Sequence, residues 1–261
     1  MSVKPGLWIR PLARGPGYWL HSYEAMLRYE FASARLLILV FAVGQIISGA
    51  GSAVLYGLFI PGDLTREAAT WLATGAASLA LIPVGMVMVP ALIANQKAAQ
   101  SFEFVWSLPV PRTVSVAAVF TLYTVGALPG LVLAQLVAGW RYQPDISVSI
   151  VIVPAVLMVG LTATALGYAI AHAVEPMFAT LISNVVIFFV LLFTPIVYPI
   201  EQLPGWLQLV HRILPFHHMA VVVREGLSDG LVHDAGLSYA VLAAWMVAAW
   251  TLAAWVIGRR R

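Results

Sequence analysis

The chain has 261 residues, of which 61% are hydrophobic and only 10% charged, against about 25% charged residues in a soluble domain. That balance excludes an ordinary water-soluble core and makes the bilayer the solvent for most of the chain. The absence of cysteine excludes disulfides, thiolate metal sites and cysteine nucleophiles, and a formal charge of +3 says little about partners.

Residues 1–35 are basic and aromatic, without the apolar core of a cleavable signal peptide. A Pro- and Gly-rich lead, Pro5 to Gly17, precedes segment 18–35. In that segment Leu20, Tyr23, Leu27 and Phe31 recur at helical spacing, with Glu24, Arg28 and Arg35 on another side. The pattern predicts an amphipathic helix in the membrane interface, with Glu24 and Arg28 as an i,i+4 pair. A simple snorkelling anchor fits the same residues.

A membrane-spanning helix takes about 20 mostly apolar residues. Six runs meet that length: 36–60, 68–94, 114–139, 148–171, 177–199 and 236–258. None alternates as a barrel strand does, so the expected fold is an all-α membrane protein, a single transmembrane domain over 1–261. Lys and Arg then set the orientation. With the amino terminus in the cytoplasm, ten of them lie inside and four, Arg66, Arg141, Arg212 and Arg224, lie outside. The expectation is a multi-pass protein of the cell membrane with both termini cytoplasmic.

Most connections are short, and Pro176 suits the first turn of the fifth span. Two stretches exceed what connection requires, and such loops tend to carry function. The outer stretch 200–235 reads as a re-entrant hairpin of two helical pieces, Pro204–Leu214 and Pro215–Leu227, released from the fifth span by Pro195 and Pro199. The inner loop 95–113 fits a short helix from Gln96 to Leu108 that carries Phe102, Val105 and Trp106 as apolar knobs and Glu103 as a carboxylate. Pro109 and Pro111 stop it. It reads either as a docking knob for a soluble partner or as a helix on the membrane surface.

Enzyme motifs do not occur: there is no phosphate loop, HExxH or GxSxG. His211, His217 and His218 cluster in the outer stretch near Glu201, Glu225 and Asp229, where interfacial decoration competes with a metal or acid–base site. Near the span centres Gln45, Gln135 and Asn184 occur, but no Asp, Glu, Lys or Arg. Ion-coupled transporters and charge-lined channels rely on such groups, so energy for any transport is expected from the cytoplasmic side. An intramembrane enzyme is disfavoured on the same ground.

The run Phe-Glu-Phe-Val-Trp-Ser-Leu-Pro-Val-Pro-Arg (102–112) resembles the cytoplasmic coupling segment of type-2 ATP-binding-cassette exporter permeases. Pro-Ile-Val-Tyr-Pro (195–199), Leu-Pro-Gly-Trp-Leu (203–207), Leu-Pro-Phe-His-His (214–218) and Arg224-Glu225-Gly226 follow the order of that family's fifth span and outer hairpin. The resemblance covers nearly the whole chain. It implies a permease without its own ATPase, paired with a cytoplasmic ATPase dimer and with a second permease copy, identical or not, in membrane lipid. ATP and Mg would then sit on the partner, with no cofactor on this chain, no catalysis by it and no nucleic-acid partner.

By position, the resemblance assigns ATPase coupling to Phe102, Glu103, Val105, Trp106 and Arg112. It assigns the translocation path or outer gate to Phe188, Phe189, Phe193, Tyr198 and Trp206, although a lipid-facing position or ordinary helix packing accounts for the aromatics of the fifth span equally well. Helix 18–35 would flank the ATPase or gate lateral access. Expected cargo is a hydrophobic or amphipathic drug, antibiotic or lipid; a lipid-linked polysaccharide, or a non-transporting assembly role, are the competing readings.

Overall fold

The computed structural model describes residues 15–58, 65–98, 100, 107–232 and 234–259. All regular structure among them is helical. α1 covers Pro16–Leu58; α2 (Arg66–Pro83), a π-helical turn (Val84–Met88) and α3 (Val89–Ala98) follow without a gap. Then come α4 (Arg112–Tyr142), α5 (Ile152–Ala173), α6 (Pro176–Phe193), a 3-10 turn (Ile200–Gln202), α7 (Gly205–Ile213), α8 (Pro215–Leu227) and α9 (Gly236–Arg259).

Among the described residues, five helical stretches are long and apolar enough to cross a membrane: Arg66–Ala98, Arg112–Tyr142, Ile152–Ala173, Pro176–Phe193 and Gly236–Val256. Of the run expected as the first span, residues 36–58 belong to α1, whose shorter apolar stretch is Leu39–Leu55, and 59–60 lie outside the described residues. The second span is longer than expected at both ends. At its start Thr65 caps the helix by accepting from the Ala68 amide at 3.2 Å, and Glu67 adds a negative charge to the first turn. The fifth span is shorter than expected. Pro195 forces Thr194 out of the helical region, to φ −82° and ψ 132°, so the helix ends at Phe193 rather than Pro199.

Segment 18–35 is not a separate helix but the first part of α1. Its packing face also differs from the apolar face of the sequence. Ser22, Met26 and Glu30 are buried, whereas Leu20 and Phe31 stay exposed. In a bilayer the apolar face need not be the packed one, because lipid accepts it as readily as protein does.

α1 does not run straight beside α4. Trp19 Nε1 donates to Thr113 Oγ1 at 3.0 Å, Tyr23 OH donates to Thr121 Oγ1 at 2.8 Å, and Met26 packs with Val114 and Ala118. Further on, Phe41 meets Tyr123 edge-on. Between Met26 and Phe41 α1 rises about 22 Å, while α4 advances only about 8–14 Å. A bend in α1 absorbs the difference. Ser33 lies inside it and donates to the carbonyls of Tyr29 (2.8 Å) and Glu30 (3.2 Å), a back-bond that bends helices.

The bundle is held by small residues where helices touch, as is usual in lipid. The second span is its hub, packing on α1, α4, α5 and α8, while α5 also carries α9. The closest approach joins the π turn to α5: a Cβ built at Gly167 would lie 2.0 Å from the Gly85 carbonyl oxygen. Gly167→Ala must therefore separate two backbones. Overpacking of this kind costs about 1–3 kcal/mol, so its melting midpoint in detergent should fall. Gly44→Ala, whose Cβ would meet nothing within 4 Å, should leave the midpoint unchanged or slightly raised. Equal midpoints for the two variants would contradict the backbone contact.

Candidate functional site

The two ends of the bundle carry different chemistry. One end gathers the start of α1, the end of α3, the start of α4 and the ends of α5 and α9. The other holds α7, α8 and the irregular run 194–204.

At the hairpin end the two helical pieces break where Pro204 and Pro215 fall, as the sequence indicates. They are not equivalent, however. α8 is buried among the second span, α5 and α9, so it is part of the bundle and not a cap laid over it. α7 is amphipathic and turns Trp206, Leu209 and Ile213 outward. Extended residues 147–149 run along the end of α8, where the Ser147 and Ser149 amides donate to the carbonyls of Leu227 (3.1 Å) and Gly226 (3.0 Å).

The centre of this end is Arg224, at 0% exposure. Its Nε donates to Thr74 Oγ1 at 3.1 Å, its Nη2 donates to the Ile196 carbonyl, and its Cζ sits 3.8 Å from the centre of the Trp71 ring. Among the described residues no carboxylate lies within 4 Å of it. The charge is held instead by dipoles and an aromatic face. A desolvated cation–π contact contributes about 2 kcal/mol, and each hydrogen bond to a charged group about 1.5–3 kcal/mol. Arg224 thus ties the second span, the chain beyond the fifth span and α8 into one unit.

The histidines serve the same end. His218 Nε2 lies 2.9 Å from the Arg212 carbonyl and its Nδ1 2.9 Å from Ser238 Oγ, which pins the α7–α8 corner to the start of α9. His211 is buried against Phe189, with ring centres 6.0 Å apart. Among the described residues no three His, Asp or Glu side chains are grouped to hold a metal.

The residues assigned to the path or gate are not gathered in one place. Phe189 stacks between Phe193 (5.4 Å) and His211. Tyr198 lines a cleft of about 500 Å³ with Trp71, Val190, Ile196 and Gln202. Phe188 and Trp206, 64% and 70% exposed, face away from the packed interior.

At the opposite end a cavity of about 740 Å³ opens between five elements. Glu30 of α1, Gln96 of α3, Arg112 and Phe120 of α4, Tyr168 and His172 of α5, and Trp250 of α9 contribute to its wall. Glu30 is 2% exposed, and burial holds its carboxyl above the ordinary range, with a smaller opposing effect from Gln96. Gln96 Nε2 is 3.4 Å from each carboxylate oxygen. Tyr168 stacks on His172 (5.6 Å) and tilts against Trp250 (5.5 Å).

Of the coupling residues, Phe102, Glu103, Val105 and Trp106 lie outside the described residues. Arg112 is the first residue of α4, exposed at the cavity mouth. Gln96 does not open a coupling helix. It belongs to α3, which continues the second span to Ala98 because nothing between Ala94 and Ala98 interrupts the helix. Lys97 Nζ donates to the Ala171 carbonyl at 3.0 Å, closing the end of α5.

Sequence reasoning missed Glu30 altogether and took Arg224 for an outer-surface charge. For Glu30 one signal was available: Ser22, Met26 and Glu30 recur every four residues on one face of the helix.

An all-helical bundle with several spans, a buried hairpin helix and a cavity at one end defines a multi-pass membrane protein. The ABC-2 type transporter family matches residues 33–227, and the chain belongs to that family as a transmembrane permease subunit. No curated protein matches the chain.

Two outcomes follow for the hairpin. Arg224→Leu leaves the Ile196 carbonyl without its donor, at about 1–3 kcal/mol. Limited proteolysis in detergent should then cut residues 194–204 faster than in the wild type, and an unaltered cleavage pattern would show that Arg224 does not hold that run. Burial, with neighbouring His218 and Arg224, pushes His217 down to about 4. Unfolding raises that value to the ordinary histidine range, so the unfolded chain binds more protons between the two. Stability should hold above about pH 6.5 and fall as pH drops toward 4. His217→Gln should flatten that slope in melting curves taken across the range.

Proposed function

We propose that this permease exports a hydrophobic or amphipathic molecule, a drug, antibiotic or lipid, from the cytoplasm or inner leaflet. A separate ATPase pair on the cytoplasmic face supplies the energy, and two permease copies form the route. The observation that carries this reading is the position of the 740 Å³ cavity. Its wall includes Leu108, Val110 and Arg112, the residues that follow the expected coupling segment 102–106. A volume in the range of small-molecule sites is thus lined by residues that follow, in sequence, the segment on which an ATPase would push. Tyr18 of α1 donates to the Pro109 carbonyl, just ahead of α4, so in this reading movement of the segment is passed to the cavity wall.

In this mechanism ATP closes the ATPase pair, segment 102–106 moves with it, and the ends of α3 and α4 displace the cavity wall. Phe102, Val105 and Trp106 act as apolar contacts in an ATPase cleft, with Glu103 and Arg112 as polar ones. Lipid-linked polysaccharide is the competing cargo, because Phe120, Tyr168 and Trp250 would also stack on sugars.

The test is co-purification of the permease with candidate ABC ATPases, followed by ATPase assays in proteoliposomes across drugs, lipids and lipid-linked glycans. Phe102→Ala with Trp106→Ala should weaken association at least about tenfold, since two buried aromatics contribute several kcal/mol, and Glu103→Lys should do so separately. Normal association and export in both variants would refute the coupling assignment. Stimulation by glycans alone would transfer the reading to polysaccharide export.

A further inference from the structure

The cavity at the α1–α9 end contains a combination that packing does not account for. A carboxylate is costly to bury, and buried charges are normally paired. Glu30 is almost fully buried, yet among the described residues no lysine or arginine lies within 4 Å of its oxygens. Its polar contact is the Gln96 amide at 3.4 Å, near the limit of hydrogen bonding. Glu30 is one of the residues that line the cavity wall.

The rest of the wall suits one kind of guest. Phe120, Tyr168 and Trp250 present aromatic surface, with Val116, Val119 and Leu161 as aliphatic lining. Aromatic faces attract cations, most strongly when desolvated. An anion would meet Glu30 at the back of the cavity, and a neutral guest would leave the carboxylate unpaired. Arg112 is exposed at the mouth, where water screens it.

We propose that this cavity binds an amphipathic organic cation, its positive centre against Glu30 and its apolar body on Phe120, Tyr168 and Trp250. The cation replaces the partner that the fold withholds from Glu30. Burial holds the carboxyl above its ordinary range, and a bound cation would oppose that effect. The proposal narrows the substrate class of the export reading and rests on that reading for its role in transport. Binding itself is measurable on this chain without the ATPase, so the two fail separately.

The full-length chain in nanodiscs of zwitterionic lipid is titrated by equilibrium dialysis with tetraphenylphosphonium and with uncharged triphenylphosphine oxide. The wild type should prefer the cation. Glu30→Gln should weaken cation binding about tenfold or more, the loss of about 1.4 kcal/mol, and leave the neutral probe within about twofold. Glu30→Asp should retain most of the preference. Ala117→Trp, which fills the cavity from α4 and leaves Glu30 in place, should abolish binding of both probes, and it decides the matter if Glu30→Gln does not fold. Cation binding that survives Glu30→Gln, or survives Ala117→Trp, overturns the proposal, as does a wild type that binds both probes equally. Cation binding as described with no cation-stimulated export would sink the transport reading alone.

Discussion

A guanidinium with no carboxylate within 4 Å among the described residues, sealed among helices, determines how the hairpin end is assembled. Arg224 reaches that position because three other features make room for it and give it partners. Pro195 ends α6, and the run that follows turns the Ile196 carbonyl inward, where it needs a donor. Gly75 has no side chain, and a Cβ there would lie 2.6 Å from that same carbonyl oxygen, so the second span and the run 196–197 can touch. Trp71, one turn earlier, covers the guanidinium. Removing any one of these leaves the others with an unpaired polar group or a gap. The Arg-Glu-Gly motif is therefore joined through space, by Arg224, to a part of the chain about 150 residues earlier.

The parts of the structure written in local chemistry were legible in the sequence. Pro204 and Pro215 mark the hairpin breaks, Pro176 opens α6, and five of the apolar runs correspond to long apolar helices. Orientation of faces was not legible. Lipid and protein interior are both apolar, so Leu20 and Phe31 look the same in sequence whether packed or exposed, and the aromatics from Phe188 to Trp206 divide between a stack, a cleft and the outer surface. The burial of Glu30 and Arg224 depends on neighbours distant in sequence, and composition carries no trace of them. The junction at Gln96 was misread for a related reason: a polar helix that continues an apolar one has no breaker residue to mark the join.

The two ends of the molecule are connected through the second span. α2 holds Trp71 and Thr74 against Arg224, and α3 holds Gln96 beside Glu30. The same helical column thus contributes to the anchored end and to the cavity. α1 meets it at the cavity end through the Glu30–Gln96 contact, with the Ser33 bend setting how far its first part leans over α4. Rigidity at one end and volume at the other coexist because the column between them is packed on nearly every side.

That column is not a uniform helix, and the π turn at Val84–Met88 sets its rotational phase. A π turn closes its hydrogen bonds over one residue more than an α turn does, and one residue corresponds to about 100° around the axis. Everything beyond Met88 is therefore rotated relative to the face that α2 presents to Arg224. Gln96 meets Glu30, and Lys97 meets the end of α5, only in that shifted phase. Were the column an unbroken α-helix, the side of α3 now turned to the cavity would be carried about a quarter-turn away, and the alignment of the two ends would be lost with every span length intact.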